Sequence, residues 1–366
     1  MFALERAAAE VLSEIAAAHV FGGAGDGETI RANRAAFRRV SLVPRVMRDV
    51  SAVSLSCRIL GQDLPAPLLL APIGGQELVQ ADGELASARA AAALGIPFIV
   101  STRSTHTPER IAEAVGGATR WFQLYWPDDD ELLASFVGRV ERAGYSALVV
   151  TLDCFTQGWR PLEMALAGPL ESQGIGNGIF LSDPVFRARL ARAPEDDPAG
   201  AQELYQRLRS NPTLSWENVE RLRELTRLPI VVKGILHPDD TRQAVSSGVA
   251  AIVCSNHGGR QVDGAIASFD ALPAVVDAAA GSVPVLFDSG IRTGSDVIKA
   301  LATGAAAVLI GRPFLCGLAL RGEAGVDHVL RCLLGDLELT LALCGAANLA
   351  ELSPQLVAVS GPSGIA

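Results

Sequence analysis

Little in this chain of 366 residues suits nucleic acid, a bilayer or a disulfide framework. Lys and Arg number 31 against 40 acidic residues, a formal net charge of −9. The basic stripe that displaces phosphate counterions is therefore missing. No apolar run reaches the roughly 20 residues a membrane-spanning helix needs. The opening MFALERAAAEVLSEIAAAHVF reads as one amphipathic helix with acidic residues, not as a secretory signal with its charged start, apolar run and cleavage site. The six cysteines (Cys57, Cys154, Cys254, Cys316, Cys332 and Cys344) form no CxxC pair and have no His at zinc spacing. They read as free thiols of a reducing compartment, so no metal site and a cytoplasmic location are expected. A dinucleotide fingerprint is absent too: APIGGQELVQADGE, after the first apolar run, lacks GxGxxG.

What is present is a large supply of buried-strand material. Eight short apolar runs recur: PLLLAP (67–72), PFIVST (97–102), RWFQLY (120–125), ALVVTLD (147–153), PIVVKG (229–234), AIVCSN (251–256), PVLFDSG (284–290) and AVLIGRP (307–313). Segments of helical period such as DELLASFVGRVERAG and DDTRQAVSSG separate them. Near-continuous apolar strands alternating with amphipathic helices predict parallel strands covered by helices. Eight such units predict one (β/α)8 TIM barrel domain over residues 1–366, with an N-terminal helical segment, rather than an open doubly wound sheet. The long connection 154–228 breaks the rhythm. Its first part, 154–200, is expected to be a lid, and a helix from about Ala201 should lead into strand five.

Active sites of such barrels lie at the C-terminal ends of the strands, so the polar residues ending each run are the candidates. These are Ile73 and Gly74; Ser101 and Thr102; Gln123 and Tyr125; Thr151 and Asp153, with Arg160 beyond; Lys233; Ser255, Asn256 and His257, with Arg260; Asp288, Ser289 and Gly290, with Arg292; and Gly311 with Arg312. They sort into two chemistries. DSGIRTGSDVIKAL and IGRP offer exposed backbone N–H groups, a helix opening at Gly294, and Arg292 and Arg312: a phosphate cradle. The other half is a reaction site. His257 can act as a base oriented by Asp153, Arg160 and Arg260 can pair with a carboxylate, and Tyr125 can bond an oxygen. Thr102, Gln123, Thr151 and Lys233 form a polar ring suited to a flavin edge, which favours FMN over pyridoxal phosphate. A lyase or isomerase on a phosphorylated substrate, with Lys233 as Schiff base, is the rival reading.

SNHGGRQVDG, DSGIRTGSDVIKALATGA and IGRP, with GGAGDGETIRANRAAF, FQLYW and VVKGILHPDD in the same order, resemble the FMN-dependent 2-hydroxy-acid oxidase and dehydrogenase family over nearly the whole chain. TLDCFTQGWRP and FLSDPVFRARL look most like its lactate 2-monooxygenase branch. The resemblance implies oxidation of a small 2-hydroxy acid to the keto acid, with O2 as acceptor, with or without decarboxylation. A larger or amino-substituted acid is the alternative. It also implies a homotetramer or homo-octamer. It gives His257 as base paired with Asp153, and Arg160, Arg260 and Tyr125 at the substrate. Ile73 and Gly74, Thr102, Gln123, Thr151, Lys233, Ser255, Asp288, Gly290, Arg292, Gly311 and Arg312 would hold the cofactor. Two positions depart from the family pattern: His19 stands where a Tyr grips the substrate carboxylate, and Arg103 where an apolar or aromatic side chain is usual.

Overall fold

The structure is a computed structural model that describes residues 2–167 and 175–359. All eight apolar runs form strands: β1 (Leu68–Leu70), β2 (Phe98–Ser101), β3 (Arg120–Leu124), β4 (Leu148–Thr151), β5 (Ile230–Ile235), β6 (Ala251–Cys254), β7 (Val285–Phe287) and β8 (Ala307–Ile310). They pair in chain order, all parallel, and β8 closes on β1 through Val308–Leu68, Leu309–Leu69 and Ile310–Leu70. The runs carry no polar alternation because both faces are covered. Leu69, Ile99, Trp121, Val149, Val231, Val253, Leu286 and Leu309 fill the barrel interior. Their neighbours Leu70, Val100, Phe122, Val150, Val232 and Ile252 join the larger outer layer beneath the helices. A hairpin, Cys57–Ile59 with Gln62–Leu64, adds Ile59 and Leu64 to the interior cluster, and Gln62 accepts the Trp121 indole N–H at 3.3 Å. That end is plugged, and the opposite rim carries the polar residues.

Two expectations change. The N-terminal segment is two helices, Phe2–Val11 and Glu14–Phe21, because Ser13 stops the first and caps the second, its Oγ accepting the Ala16 N–H at 3.3 Å. Side chains that compete with the backbone in this way favour helix starts over helix interiors. The approach to β5 is also two helices, Pro198–Leu208 and Trp216–Leu225, the second opening on a Ser215–Asn218 capping box. The insertion itself holds helices Pro161–Ala167, Gly178–Ser182 and Pro184–Ala188. The buried Arg139 fastens the last two to the barrel, donating to Ile179 O at 2.9 Å and to Asp183 at 3.2 Å. The lid expectation over 168–174 lies outside the described residues. Among those described, no helix is long and apolar enough to cross a membrane.

The N-terminal and C-terminal parts of the described chain also meet. Val40–Leu42 pairs antiparallel with Val357–Val359. The GGAG segment reaches the turn after β6, where Ala24 N–H donates to Gly259 O at 2.9 Å. The N-terminal helices are thus held over the polar rim.

Candidate active site

A cleft of about 1190 Å³ opens at the C-terminal ends of the strands, and His19, Tyr125, Arg160, Lys233, His257, Arg260, Asp288, Arg292 and Arg312 all line it. The turn after β6 holds His257, Gly258 and Gly259 at φ of +59°, +66° and +76°. Left-handed backbone is unfavourable for a residue with a Cβ, and it persists where surrounding bonds impose it. Here Ser255 Oγ accepts the His257 N–H at 3.0 Å and Asn256 Oδ1 accepts the Gly259 N–H at 3.1 Å. A Cβ on Gly259 would stand 2.8 Å from Ile30 N.

The His257 imidazole is thereby turned toward Asp153, with Nδ1 3.0 Å from Oδ1. Nδ1–H donates to the carboxylate, which leaves Nε2 as the basic atom. Burial lowers the His257 pKa, helped by Lys233 and Arg160 and opposed by Asp153. Burial raises Asp153, but His257 and Lys233 outweigh it and hold the carboxyl low. At neutral pH the pair is therefore a neutral imidazole on a carboxylate. Cys154 joins it: Sγ lies 3.3 Å from His257 Nδ1. The six cysteines are free thiols, and the fold brings to Cys154 a histidine that lies 103 residues away in sequence.

Lys233 Nζ lies 3.0 Å from Asp288 Oδ2 and donates to Ser255 Oγ at 2.7 Å. Burial alone would lower its pKa, yet Asp288 and Asp153 raise it. A fixed ammonium cannot act as an amine nucleophile, which removes the Schiff-base reading. Gln123 is equally committed. Its Nε2 donates to Thr151 Oγ1 at 2.9 Å, and its Oε1 accepts from Ser101 Oγ and the Thr102 N–H. Thr102, Gln123, Thr151, Asp153 and Ser255 stand behind the residues that line the cleft.

The two arginines expected to face a carboxylate meet, with one acid between them. Arg260 donates from Nη1 to His19 O (2.9 Å) and Gly22 O (3.0 Å), and pairs with Glu163 through Nη2. Arg160 donates to Arg260 O and Gln261 Oε1, both at 3.0 Å, and lies 3.6 Å from Glu163. Burial, then Arg260, lowers Arg160 to about 10. Two guanidinium groups and one carboxylate leave one net positive charge. Sequence reading missed Glu163; its one signal was the i,i+3 spacing from Arg160 on a helix.

His19 lines the cleft and donates from Nε2 to Gly74 O at 3.0 Å. Burial, then Arg260, lowers its pKa to about 4, so it stays uncharged near neutrality. The unfolded chain binds this proton at about 6.5, so folding stability should fall as pH drops from about 6.5 toward 4. In His19→Gln that fall should be shallower, as read from urea midpoints across this range. Tyr125 also lines the cleft, with the Arg103 guanidinium 5.4 Å from its ring centroid. Burial pushes its phenol pKa upward, so the hydroxyl keeps its proton.

At the far end, Arg312 donates to Val20 O, Gly22 O and Gly258 O, and burial with Arg292 and Arg260 lowers it to about 9. Arg292 pairs with Glu5. This cationic cluster is short of anions. The helix at Gly294 does not serve it: Asp336 takes the Gly294 N–H at 2.6 Å, and Thr293 with Asp296 forms a capping box. A Cβ at Gly294 would sit 2.5 Å from the Asp336 backbone. Gly294→Ala should therefore cost about 1–3 kcal/mol in denaturant unfolding. The open helix start is instead Gly311–Arg312, which has no side-chain cap. These groups fit a phosphate-bearing cofactor, with Arg292, Gly311 and Arg312 at its anionic end and Lys233 at the other.

The model of the FMN-dependent dehydrogenase family matches residues 8–359. The chain belongs to this family. FMN is accordingly its cofactor, and the enzyme is an oxidoreductase. An L-lactate oxidase of Lysinibacillus sphaericus is 44% identical over 350 residues, 95% of this chain and 90% of that protein. An FMN-dependent alpha-hydroxy acid dehydrogenase of Penicillium citrinum is 46% identical over 351 residues, covering 95% and 87%. Among solved structures, mandelate oxidase with (S)-4-hydroxymandelic acid aligns over 95% of both chains with a TM-score of 0.84 and 38% identity. The family's FMN chemistry and the site's anion-poor cationic end agree.

Proposed function

We infer that this enzyme oxidises a small 2-hydroxy monocarboxylic acid to its 2-keto acid and passes the electrons to O2. The observation that carries the reading is the oriented His257–Asp153 pair in the same cleft as Arg160 and Arg260. The single net charge of the arginine–Glu163 cluster suits one carboxylate. Arg160 and Arg260 hold that carboxylate, exchanging part of their bonding to Glu163 for it. Tyr125, kept protonated, donates to a substrate oxygen. His257 Nε2 accepts the proton that leaves the substrate, and Asp153 stabilises the imidazolium that results. Bound FMN supplies the two-electron acceptor, while Lys233 contributes fixed positive charge. His19, as a neutral donor to Gly74 O, shapes the wall beside the clamp without adding charge.

The lactate oxidase among the relatives supports O2 as acceptor and a small substrate. Retention of keto acid and peroxide together in the cleft would add decarboxylation, giving monooxygenase stoichiometry. Mixing FMN-loaded enzyme anaerobically with lactate, glycolate, mandelate, malate and amino-substituted 2-hydroxy acids tests the reading. The small monocarboxylates should bleach the flavin fastest; preference for a dicarboxylate would overturn the charge argument. Assaying keto acid against CO2 after oxygen is admitted then separates oxidase from monooxygenase.

A further inference from the structure

The contact between Cys154 and the His257–Asp153 pair has no part in the reaction above, and its geometry is that of a cation site. Asp153, Cys154 and His257 each offer one ligand atom, and these atoms lie within 4.8 Å of one another. Sγ stands 3.3 Å from His257 Nδ1 and 3.8 Å from Nε2, and Nδ1 stands 3.0 Å from Asp153 Oδ1. A tetrahedral Zn²⁺, with bonds of about 2.3 Å to sulfur and 2.0–2.1 Å to nitrogen or oxygen, holds its ligands roughly 3.3–3.6 Å apart. The Sγ–Nδ1 and Nδ1–Oδ1 separations come within a few tenths of an ångström of those spacings, and rotation of the Cys154 side chain off the imidazole face would complete the set. A second observation points the same way: Asp153 Oδ2 is buried with no hydrogen-bond partner among the described residues.

The charge around the trio permits a cation. Lys233 is matched by Asp288, and Glu163 offsets one of the two charges of Arg160 and Arg260. Asp153 therefore keeps a carboxylate charge that a metal can use. Thiolate, imidazole and carboxylate together select a borderline or soft ion over Mg²⁺ or Ca²⁺. Burial and Asp153 keep the Cys154 thiol protonated. Coordination therefore releases that proton to the buffer as the S–metal bond forms, with no change of oxidation state.

We propose that Asp153, Cys154 and His257 bind a thiophilic divalent cation of the Zn²⁺ class, and that its occupation switches the enzyme off. The binding stands on the geometry alone; the inhibition rests on His257 being the base. Metal at Nδ1 displaces the single ring proton of the neutral imidazole from its bond to Asp153, and that proton shifts to Nε2. The atom facing the cleft becomes a donor and can no longer accept the substrate proton. The entrance need not be blocked.

The test uses FMN-loaded enzyme with Zn²⁺ or Cd²⁺ alone. Equilibrium dialysis should find one tightly held Zn²⁺ per chain, and Cd²⁺ should produce a thiolate charge-transfer band in the ultraviolet. In both Cys154→Ala and Cys154→Ser the band should vanish, and the Zn²⁺ dissociation constant should rise at least ~10-fold. The Zn²⁺ concentration that halves anaerobic flavin reduction should rise by the same factor. An absent band in the parent enzyme, or equal Zn²⁺ affinity in parent and both variants, overturns the site. Binding at the trio without inhibition preserves the site and instead refutes His257 as the base. Two variants of different polarity guard against a folding defect in either.

Discussion

His257→Gln should retain FMN and its visible spectrum yet reduce the bound flavin at least ~100-fold more slowly under anaerobic conditions, the usual contribution of a positioned base. The effect should lie in the rate at saturating acid, with little change in the acid concentration needed. Gln preserves a polar group of similar reach but offers no basic nitrogen. The left-handed backbone at position 257 is set by Ser255 and the Asn256-anchored turn, not by the imidazole. The fold of the turn should therefore survive, and a melting curve close to that of the parent would confirm it. Unchanged bleaching would remove His257 from the reaction.

Arg160→Met should act on the other axis. The guanidinium faces the cleft, holds the turn after β6 through Arg260 O and Gln261 Oε1, and lies 3.6 Å from the buried Glu163. Its removal leaves a substrate carboxylate with a diminished partner. Losing one member of a desolvated charge pair costs about 2–5 kcal/mol, so KM should rise about 30- to 4,000-fold. Arg160→Lys should rescue only part of this. An ammonium cannot reproduce the planar geometry that bonds Arg260 O, Gln261 and a carboxylate together. Steady-state kinetics with a single 2-hydroxy acid decide it, and a loss confined to kcat would move Arg160 from binding to chemistry.

The sequence carried much of this in plain view, for identifiable reasons. The eight strands were visible because a parallel barrel buries both strand faces, leaving unbroken apolar runs that end in polar residues at one rim. His257, Arg260, Lys233 and Asp153 followed from position at those ends. What stayed hidden depends on distances the chain does not encode locally. Nothing near Cys154 in sequence announces a histidine. Glu163 is one more acid on an exposed-looking helix until Arg260 arrives from the turn after β6, two strands further round the barrel. Gly294 looked like an open helix start because Asp336, which closes it, comes from 42 residues downstream. The single N-terminal helix was a fair reading of periodicity, and one serine hydroxyl divides it.

The clustered cations at the phosphate end have a thermodynamic consequence. Arg312, lowered to about 9 chiefly by burial and then by Arg292 and Arg260, raises the free energy of the folded chain until an anion joins it. Folding and cofactor retention are then linked equilibria, and excess FMN should raise the unfolding midpoint in proportion to the logarithm of its concentration. Glu5 and the Val20 and Gly22 carbonyls, which contact these arginines, belong to the N-terminal segment. Cofactor loss should therefore loosen that segment first, making the N-terminal helices the place where proteolysis begins as the enzyme loses its colour.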